Sequence, residues 1–220
     1  GNASHEIVAR GLGALARMAH RGAVGADPLD GDGAGVMLQI PDALLRESLV
    51  RGALYSQFGG PRGAPVADVL PAVGQYAVAM CMLSPDRRRR DTQRAALALA
   101  AQDEGLTIVA WRDVPVRSRH LGSVATQSQP HHAQAFLTWP DAAASLTEPA
   151  LRLRLLRVRR AAVGIAAADI AAADIAAADI AAGADRTESD ERAGVDPMYI
   201  ASLCHRTIVY KGLVVPGRLP

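Results

Sequence analysis

The sequence predicts a soluble α+β domain, in which helices and strands mix without the strict alternation of a doubly wound sheet. Some segments carry apolar residues at helical spacing, and others are short apolar runs bounded by turn residues. A chain of 220 residues, half of them hydrophobic, can bury a sizeable core. It has no run of about 18 uncharged apolar residues of the kind that spans a membrane.

The first predicted element is a helix over residues 5–19. Val8, Leu12 and Leu15 recur there at helical spacing. Ser4 is placed as an N-cap, since its hydroxyl can accept a hydrogen bond from a first-turn N–H. Gly22 marks the expected stop.

A glycine-rich turn follows this helix. Gly31, Gly33 and Gly35 alternate with other residues and demand a tight backbone. The turn leads into a predicted strand over residues 36–40, after which a proline opens a helix over 42–50.

The rest of the chain continues to mix strands and helices. The run QYAVAMCML predicts a strand that is buried on both faces, and the arginine-laced run that begins at Glu148 predicts a helix. The predicted strands cover residues 75–83, 106–111, 133–138, 198–204 and 207–211, and the predicted helices cover residues 86–104 and 148–161.

The motif Ile-Ala-Ala-Ala-Asp is repeated between Ile165 and Ile180. A five-residue period rotates by about 140° per repeat on an α-helix, so the isoleucines scatter around the axis and predict a poor core helix. The polar stretch over 185–196 is predicted to be disordered. We therefore interpret residues 161–196, approximately, as a low-complexity insertion.

Charge and cysteine content exclude several classes of partner. The 24 basic and 22 acidic residues nearly balance and give no chain-wide field to hold a nucleic acid or a membrane surface. Arginine provides every basic residue except Lys211. Biased codon usage explains this excess of arginine over lysine. Two cysteines make neither a disulfide framework nor a zinc-ligand set. These features predict a reducing, cytoplasmic location and no metal site.

Two motifs near the glycine-rich turn are candidates for function. Arg21 ends the first helix, where it either faces a site or is a solvated arginine stabilised by the helix dipole. Asp27, Asp30 and Asp32 have a spacing that invites calcium, but the segment lacks the distal glutamate of an EF-hand. Turn-forming aspartates are the favoured interpretation.

Four further motifs favour ordinary structural roles. The arginines at 87–90 begin a helix and are expected to be exposed, either solvated or facing an acidic partner. His131 and His132 are expected to be loop residues that point apart, with no carboxylate or cysteine nearby to complete a metal-ligand set. The adjacent Cys204 and His205 rarely make the hydrogen bond that a nucleophile needs, and Cys81 lies in an apolar run where a thiol is inert.

Several stretches, in order, resemble the glutamine amidotransferase domain of the glutamate synthase large subunit. The longest is SHEIVARGLGALARMAHRGAVGADPLDGDGAGVMLQIP, over residues 4–41. It is followed by YAVAMCML, EGLTIVAWRDVPV, LGSVA and finally YIASLCHRTIVYKGLV. The resemblance covers most of the chain apart from the Ile-Ala-Ala-Ala-Asp segment and the loop around residues 59–71.

This resemblance implies an N-terminal-nucleophile fold, a four-layer α/β/β/α sandwich. In that family a cysteine exposed as the first residue attacks the glutamine side-chain amide, with its own α-amino group as the base. The family's nucleophile stands before the SHEIV run, and its glutamine-binding arginine and oxyanion-hole Asn-Gly follow the VYKG strand. Residues 1–220 contain none of these three motifs, so we expect a partial domain that is inactive alone.

When the family's site residues are matched to this sequence one by one, the matching positions are ones that support the nucleophile. Arg21 matches the arginine of the family's His-Arg-Gly motif, which lies beside the nucleophile and favours its thiolate. Six other positions match and are assigned to shaping the backbone around the site: Gly22, Asp30, Gly31, Asp32, Gly33 and Gly35.

The resemblance also implies partners and cofactors of the parent enzyme. Glutamine is the substrate of the complete domain, and the released ammonia is combined with 2-oxoglutarate and reduced to glutamate. The parent resembles an assembly with FMN, iron–sulfur clusters and, in many bacteria, an NADPH-oxidising small subunit; none of these cofactor sites is expected in residues 1–220. The alternative hypothesis is a non-catalytic, stand-alone remnant that binds a partner through its arginine-rich helices.

Overall fold

A computed structural model describes residues 4–21, 31, 33–50, 70–119, 121–140, 147–181 and 197–213 of the chain. The stretch 185–196, which the sequence predicts to be disordered, lies outside these ranges. None of the helices in them has the length and apolar character needed to cross a membrane.

The described residues form five α-helices and six strands. The helices are α1 (His5–Arg17), α2 (Asp42–Val50), α3 (Arg87–Asp103), α4 (Ser123–Gln127) and α5 (Glu148–Ala181). The strands are β1 (Ala34–Gln39), β2 (Tyr76–Leu83), β3 (Thr107–Asp113), β4 (His131–Thr138), β5 (Tyr199–Cys204) and β6 (Thr207–Gly212). Each predicted helix and strand has a counterpart, whereas the five-residue α4 was not predicted because it is too short to show a period.

Side-chain caps begin two of these helices, of which the cap at Ser4 is predicted from the sequence. The Ser4 hydroxyl accepts a hydrogen bond from the Ile7 N–H, and the Asp86 carboxylate accepts one from the Arg89 N–H. Each bond satisfies a first-turn donor that has no partner within the helix.

The strands form two antiparallel sheets, which confirms the α+β class. A four-stranded sheet has the order β3-β4-β2-β5, and a two-stranded sheet pairs β1 with β6. The second pairing joins the glycine-rich segment to the end of the described chain, with Val36 opposite Tyr210.

Each face of the four-stranded sheet is covered by a different layer. On one face, Ala79, Ala135 and neighbouring side chains pack against α3 and α5. On the other face, Val78 and Phe136 pack against α2 and the β1–β6 sheet. Central β2 is buried along almost its whole length because both of its faces are covered, as the apolar run predicts.

The expectation of a poor core helix is wrong for the start of the repeat. Helix α5 continues to Ala181, and Ala162, Ala166 and Ile170 are buried in line with Leu155. Positions four residues apart lie on one face of a helix, so Ala162 and Ala166 extend the packing stripe and Ile170 is the repeat isoleucine that falls on it. Small side chains suit this stripe, since they let α5 approach α3 closely.

Candidate functional site

An open groove of about 520 Å³ lies beside the glycine-rich segment, between β1–β6 and the adjoining ends of β2 and β5. Its lining residues are Gly33, Ala34, Gly35, Met82, Tyr199, Val209, Lys211, Gly212 and Leu213. The walls are mainly apolar, and Lys211 and Tyr199 are their polar side chains. We call this feature the β1–β6 groove.

Gly33, just before β1, and Gly35, within it, have a steric reason to be glycine. Gly33 has a φ of +110°, which L side chains rarely adopt, and a Cβ there would meet the Gly212 carbonyl oxygen at 3.1 Å. A Cβ on Gly35 would lie 2.8 Å from Cβ of Lys211. The pairing of β1 with β6 therefore depends on glycine at both positions.

Lys211 carries the cationic group of the groove. Its Nζ donates to the Tyr199 hydroxyl at 2.7 Å and lies 4.2 Å from the centroid of the Tyr199 ring. This contact combines a hydrogen bond with a cation–π interaction. The chain's single lysine thus lies opposite Gly35 across the sheet, a position for which the sequence predicts no role.

The structure brings together part of the set assigned by resemblance. Gly33 and Gly35 line the groove, and Gly31 is in the described chain just before them. Arg21 ends a short 3-10 helix, Ala19–Arg21, with its side chain exposed, and it is not among the groove-lining residues. Gly22, Asp30 and Asp32 lie outside the described residues, as does Asp27. The site roles of all these residues stay predictions.

Cys81 lies in the core on β2 and is fully buried. Burial raises the pKa of its thiol to about 12, only partly opposed by the Arg94 charge. A thiol with that pKa is overwhelmingly protonated at neutral pH, so the environment of Cys81 does not suit a nucleophile.

Cys204 ends β5 at the turn into β6 and is partly buried. Burial raises the pKa of its thiol, but hydrogen bonds outweigh that effect and leave the pKa below its ordinary value. The donors include the backbone N–H of Arg206, 3.4 Å from Sγ. Burial also lowers the pKa of His205, and no hydrogen bond joins its imidazole to Sγ within the described structure. The sulfur therefore stabilises a turn and has no paired base.

The two adjacent histidines differ from their prediction. They lie at the start of β4 rather than in a loop, and Nε2 of His131 lies 2.9 Å from Oδ1 of Asp113. His132 is partly buried, which lowers its pKa. Among the described residues, no three His, Cys, Asp or Glu side chains are placed to hold a metal ion.

The arginines at the start of α3 bind mainly within the chain. Arg89 contacts both carboxylate oxygens of Asp174 in α5, at 3.0 and 3.1 Å. Arg90 donates to the backbone carbonyls of Ser84 and Pro85. The expectation of a fully exposed run is therefore wrong for these two partly buried arginines, because Arg89 reaches a carboxylate of α5 and Arg90 bonds the backbone just before α3.

A polar chain crosses the space between the two sheets. Arg112 on β3 donates from Nη1 to Oε1 of Gln134 at 3.0 Å, and Nε2 of Gln134 donates to the Tyr210 hydroxyl at 2.9 Å. Sequence analysis missed all three residues. The sequence signal that could have revealed them is Gln134, which lies within a buried strand. A buried amide needs polar partners, so its presence there predicts polar side chains beside it.

Comparison with known proteins places the whole chain in one family. The family described as class-II glutamine amidotransferases matches residues 1–220. The chain is 30% identical over 219 residues to the glutamate synthase (NADPH) large chain of Bacillus subtilis (strain 168), covering all of this chain and 12% of that protein.

Two other relatives carry related names. The chain is 36% identical over 144 residues to ferredoxin-dependent glutamate synthase 2 of Synechocystis sp., covering 66% of this chain and 8% of that protein. It is 31% identical over 217 residues to the glutamate synthase (NADH) of Schizosaccharomyces pombe, covering 98% of this chain and 8% of that protein. The chain spans about a tenth of the length of these relatives and belongs to the class-II glutamine amidotransferase family.

Proposed function

We propose that this chain is part of the glutamine-hydrolysing domain of a glutamate synthase, which supplies ammonia for the reductive formation of glutamate from 2-oxoglutarate. The observation that carries the proposal is the similarity to a glutamate synthase large chain, at 30% identity over 219 residues. The structure supports the proposal because β1 and β6 lie in two different resembling segments and are hydrogen-bonded to each other.

The proposed complete domain is a four-layer α/β/β/α sandwich. Three successive layers support this architecture: helices α3 and α5, the four-stranded sheet, and the β1–β6 sheet. Helix α1 contacts β1 and has a partly buried apolar side, and we assign it to the fourth layer.

We infer that neither cysteine of residues 1–220 attacks glutamine. Cys81 is buried with a raised pKa, and the Cys204 sulfur is held by backbone N–H groups, with no imidazole of the described residues bonded to it. The nucleophile of the complete domain is then a cysteine outside these residues, and the chain by itself does not hydrolyse glutamine.

Arg21 is the proposed charged support of that nucleophile. Its guanidinium is exposed at the end of a short helix and is free to face another segment of the domain. A neighbouring cation lowers the pKa of a thiol and so increases its thiolate fraction at neutral pH. Gly22, Asp30, Asp32 and the described glycines of the turn shape the backbone around the site in this proposal.

We assign the redox cofactors of a glutamate synthase to the rest of the polypeptide. An iron–sulfur cluster is usually held by four cysteine thiolates, whereas residues 1–220 contain two cysteines. We assign the FMN site and the contact with an electron-donating small subunit in the same way, so these residues contribute only the amidotransferase step.

A reactive glutamine analogue tests the proposed function. The full-length protein is treated with a diazo-ketone analogue of glutamine, which alkylates the attacking thiol, and the modified residue is located by mass spectrometry. We expect one adduct, on a cysteine outside residues 1–220, and glutaminase activity that falls in step with labelling. Cys204→Ala is expected to label and hydrolyse normally. An adduct on Cys204, or a protein without glutaminase activity, contradicts the proposal.

A further inference from the structure

We propose that Arg112, Gln134 and Tyr210 form a binding site for a carboxylate group between the two sheets. We call these three residues the inter-sheet cluster. The inference rests on their geometry and does not depend on glutamine hydrolysis.

Arg112 is a buried cation that contacts no anion among the described residues. The residue is 8% exposed, and its single hydrogen bond in the described structure goes to the neutral amide of Gln134. Its Nε–H is buried and has no acceptor there. Buried charges in proteins are normally paired, because removing an ion from water costs several kcal/mol unless an opposite charge compensates.

Arg94 shows how the same fold treats another buried arginine. Arg94 is also almost fully buried, but its Nη2 donates to Oδ1 of Asp113 at 2.9 Å, and its guanidinium lies over the Trp111 ring. The two arginines therefore differ in their partner, since Arg94 binds a carboxylate whereas Arg112 bonds only a neutral amide within the described structure.

The direction of the hydrogen bonds fixes what the cluster can bind. A guanidinium only donates, so the oxygen of the Gln134 amide must face Arg112 and its NH₂ group must face Tyr210. The Tyr210 oxygen therefore accepts this bond, and its own O–H is left to donate. Each end of this chain of hydrogen bonds therefore keeps a donor, the Nε–H of Arg112 and the O–H of Tyr210, that meets no acceptor within the described structure.

The surroundings favour a carboxylate over a more highly charged anion. Met80, Ala110 and Phe136 line the same apolar layer. The cost of desolvation rises steeply with charge, so a monoanion fits this layer better than a phosphate dianion. A planar carboxylate also matches the two parallel N–H donors of a guanidinium. The carboxylate comes either from a small ligand or from a side chain of the complete protein.

Hydrogen exchange measured by mass spectrometry tests the proposal in the full-length protein. Acetate is the probe, with chloride at equal ionic strength as the reference. A free carboxylate ligand predicts exchange about 6-fold slower in peptides covering β3 and β6 when acetate is at about five times its Kd. Arg112→Met abolishes this protection, whereas Arg117→Met, which removes an exposed arginine nearby, preserves it.

A carboxylate from the protein itself predicts a different pattern. Acetate then has no effect, but Arg112→Met leaves a buried carboxylate without its cation, and this raises the carboxylate's pKa. The ratio of variant to parent exchange rates in β3 should rise from about pH 5 to about pH 8, as the orphaned group ionises. Arg112→Gln, which retains a polar group beside Gln134, provides the same comparison if the Met variant does not fold. Absence of both the acetate effect and the pH-dependent ratio overturns the proposal.

Discussion

Gly35 and Lys211 face each other across β1 and β6 so closely that a Cβ on Gly35 would lie 2.8 Å from the Lys211 Cβ and 2.9 Å from the Tyr210 carbonyl oxygen. Both distances are shorter than van der Waals contact, and the carbonyl oxygen belongs to the backbone. The close pairing of β1 with β6, which lines the β1–β6 groove, therefore requires glycine at position 35.

We predict that Gly35→Ala lowers the free energy of unfolding by about 1–3 kcal/mol, the usual cost of forcing extra volume into a close contact. Gly11→Ala is the matched control. A Cβ at Gly11 in α1 meets nothing within 4 Å, so this change should stabilise the protein by about 0.5–1 kcal/mol through helix propensity. Chemical denaturation of both variants measures the difference, and equal effects contradict the steric explanation.

A second prediction concerns Arg21 and rests on the proposed function. Arg21→Ala is expected to reduce the kcat/KM of glutamine hydrolysis in the full-length protein by about 10–100-fold, because a thiol pKa rises by about 1–2 units when an adjacent cation is removed. Arg17→Ala removes another exposed arginine from the end of α1 and should leave kcat/KM within about twofold. Equal activities of the two variants contradict the role assigned to Arg21.

A third prediction concerns acid stability at the start of α2. Burial raises the pKa of Asp42, but hydrogen bonds from Arg46 and Tyr76 outweigh it and leave the pKa below its ordinary value. A carboxyl group with a depressed folded pKa contributes stability above its unfolded pKa, and that contribution is lost as pH falls. We expect the parent to lose more stability than Asp42→Asn between about pH 5 and pH 3.

Urea denaturation at each pH measures this effect. Asp91→Asn is the control, since Asp91 is exposed and its contact with Arg87 is long, at 3.8 Å. The free energy of unfolding of Asp91→Asn should fall with decreasing pH in the same way as that of the parent. A parallel loss of stability in the parent and in Asp42→Asn contradicts the assignment.

A fourth prediction tests the packing of the repeat. Ile170 is buried in line with Ala166, whereas Ile165 is only partly buried. Ile170→Ala is expected to cost about 2–4 kcal/mol, and Ile165→Ala less than half as much. Differential scanning calorimetry of the two variants measures the contrast. Equal small effects indicate that α5 beyond Ala162 does not pack on the domain.

The sequence by itself determined the local elements of this protein. Ser4 predicts a helix start because a capping oxygen needs only neighbouring N–H groups. The run from Tyr76 to Leu83 predicts a buried strand because continuous apolar side chains need cover on both faces. The sequence motifs around Arg21 and in β6 also indicated the family, and the similarity over the whole chain confirmed it.

Tertiary structure alone decided how distant segments meet. The pairing of Gly35 with Lys211 joins residues from opposite ends of the described chain, and no local period encodes that register. The alanine stripe of α5 becomes a core surface only because α3 lies against it, which overrides the scatter of the isoleucines. The difference between Arg94 and Arg112 has the same origin, since the energy of a buried charge depends on which group the fold places beside it.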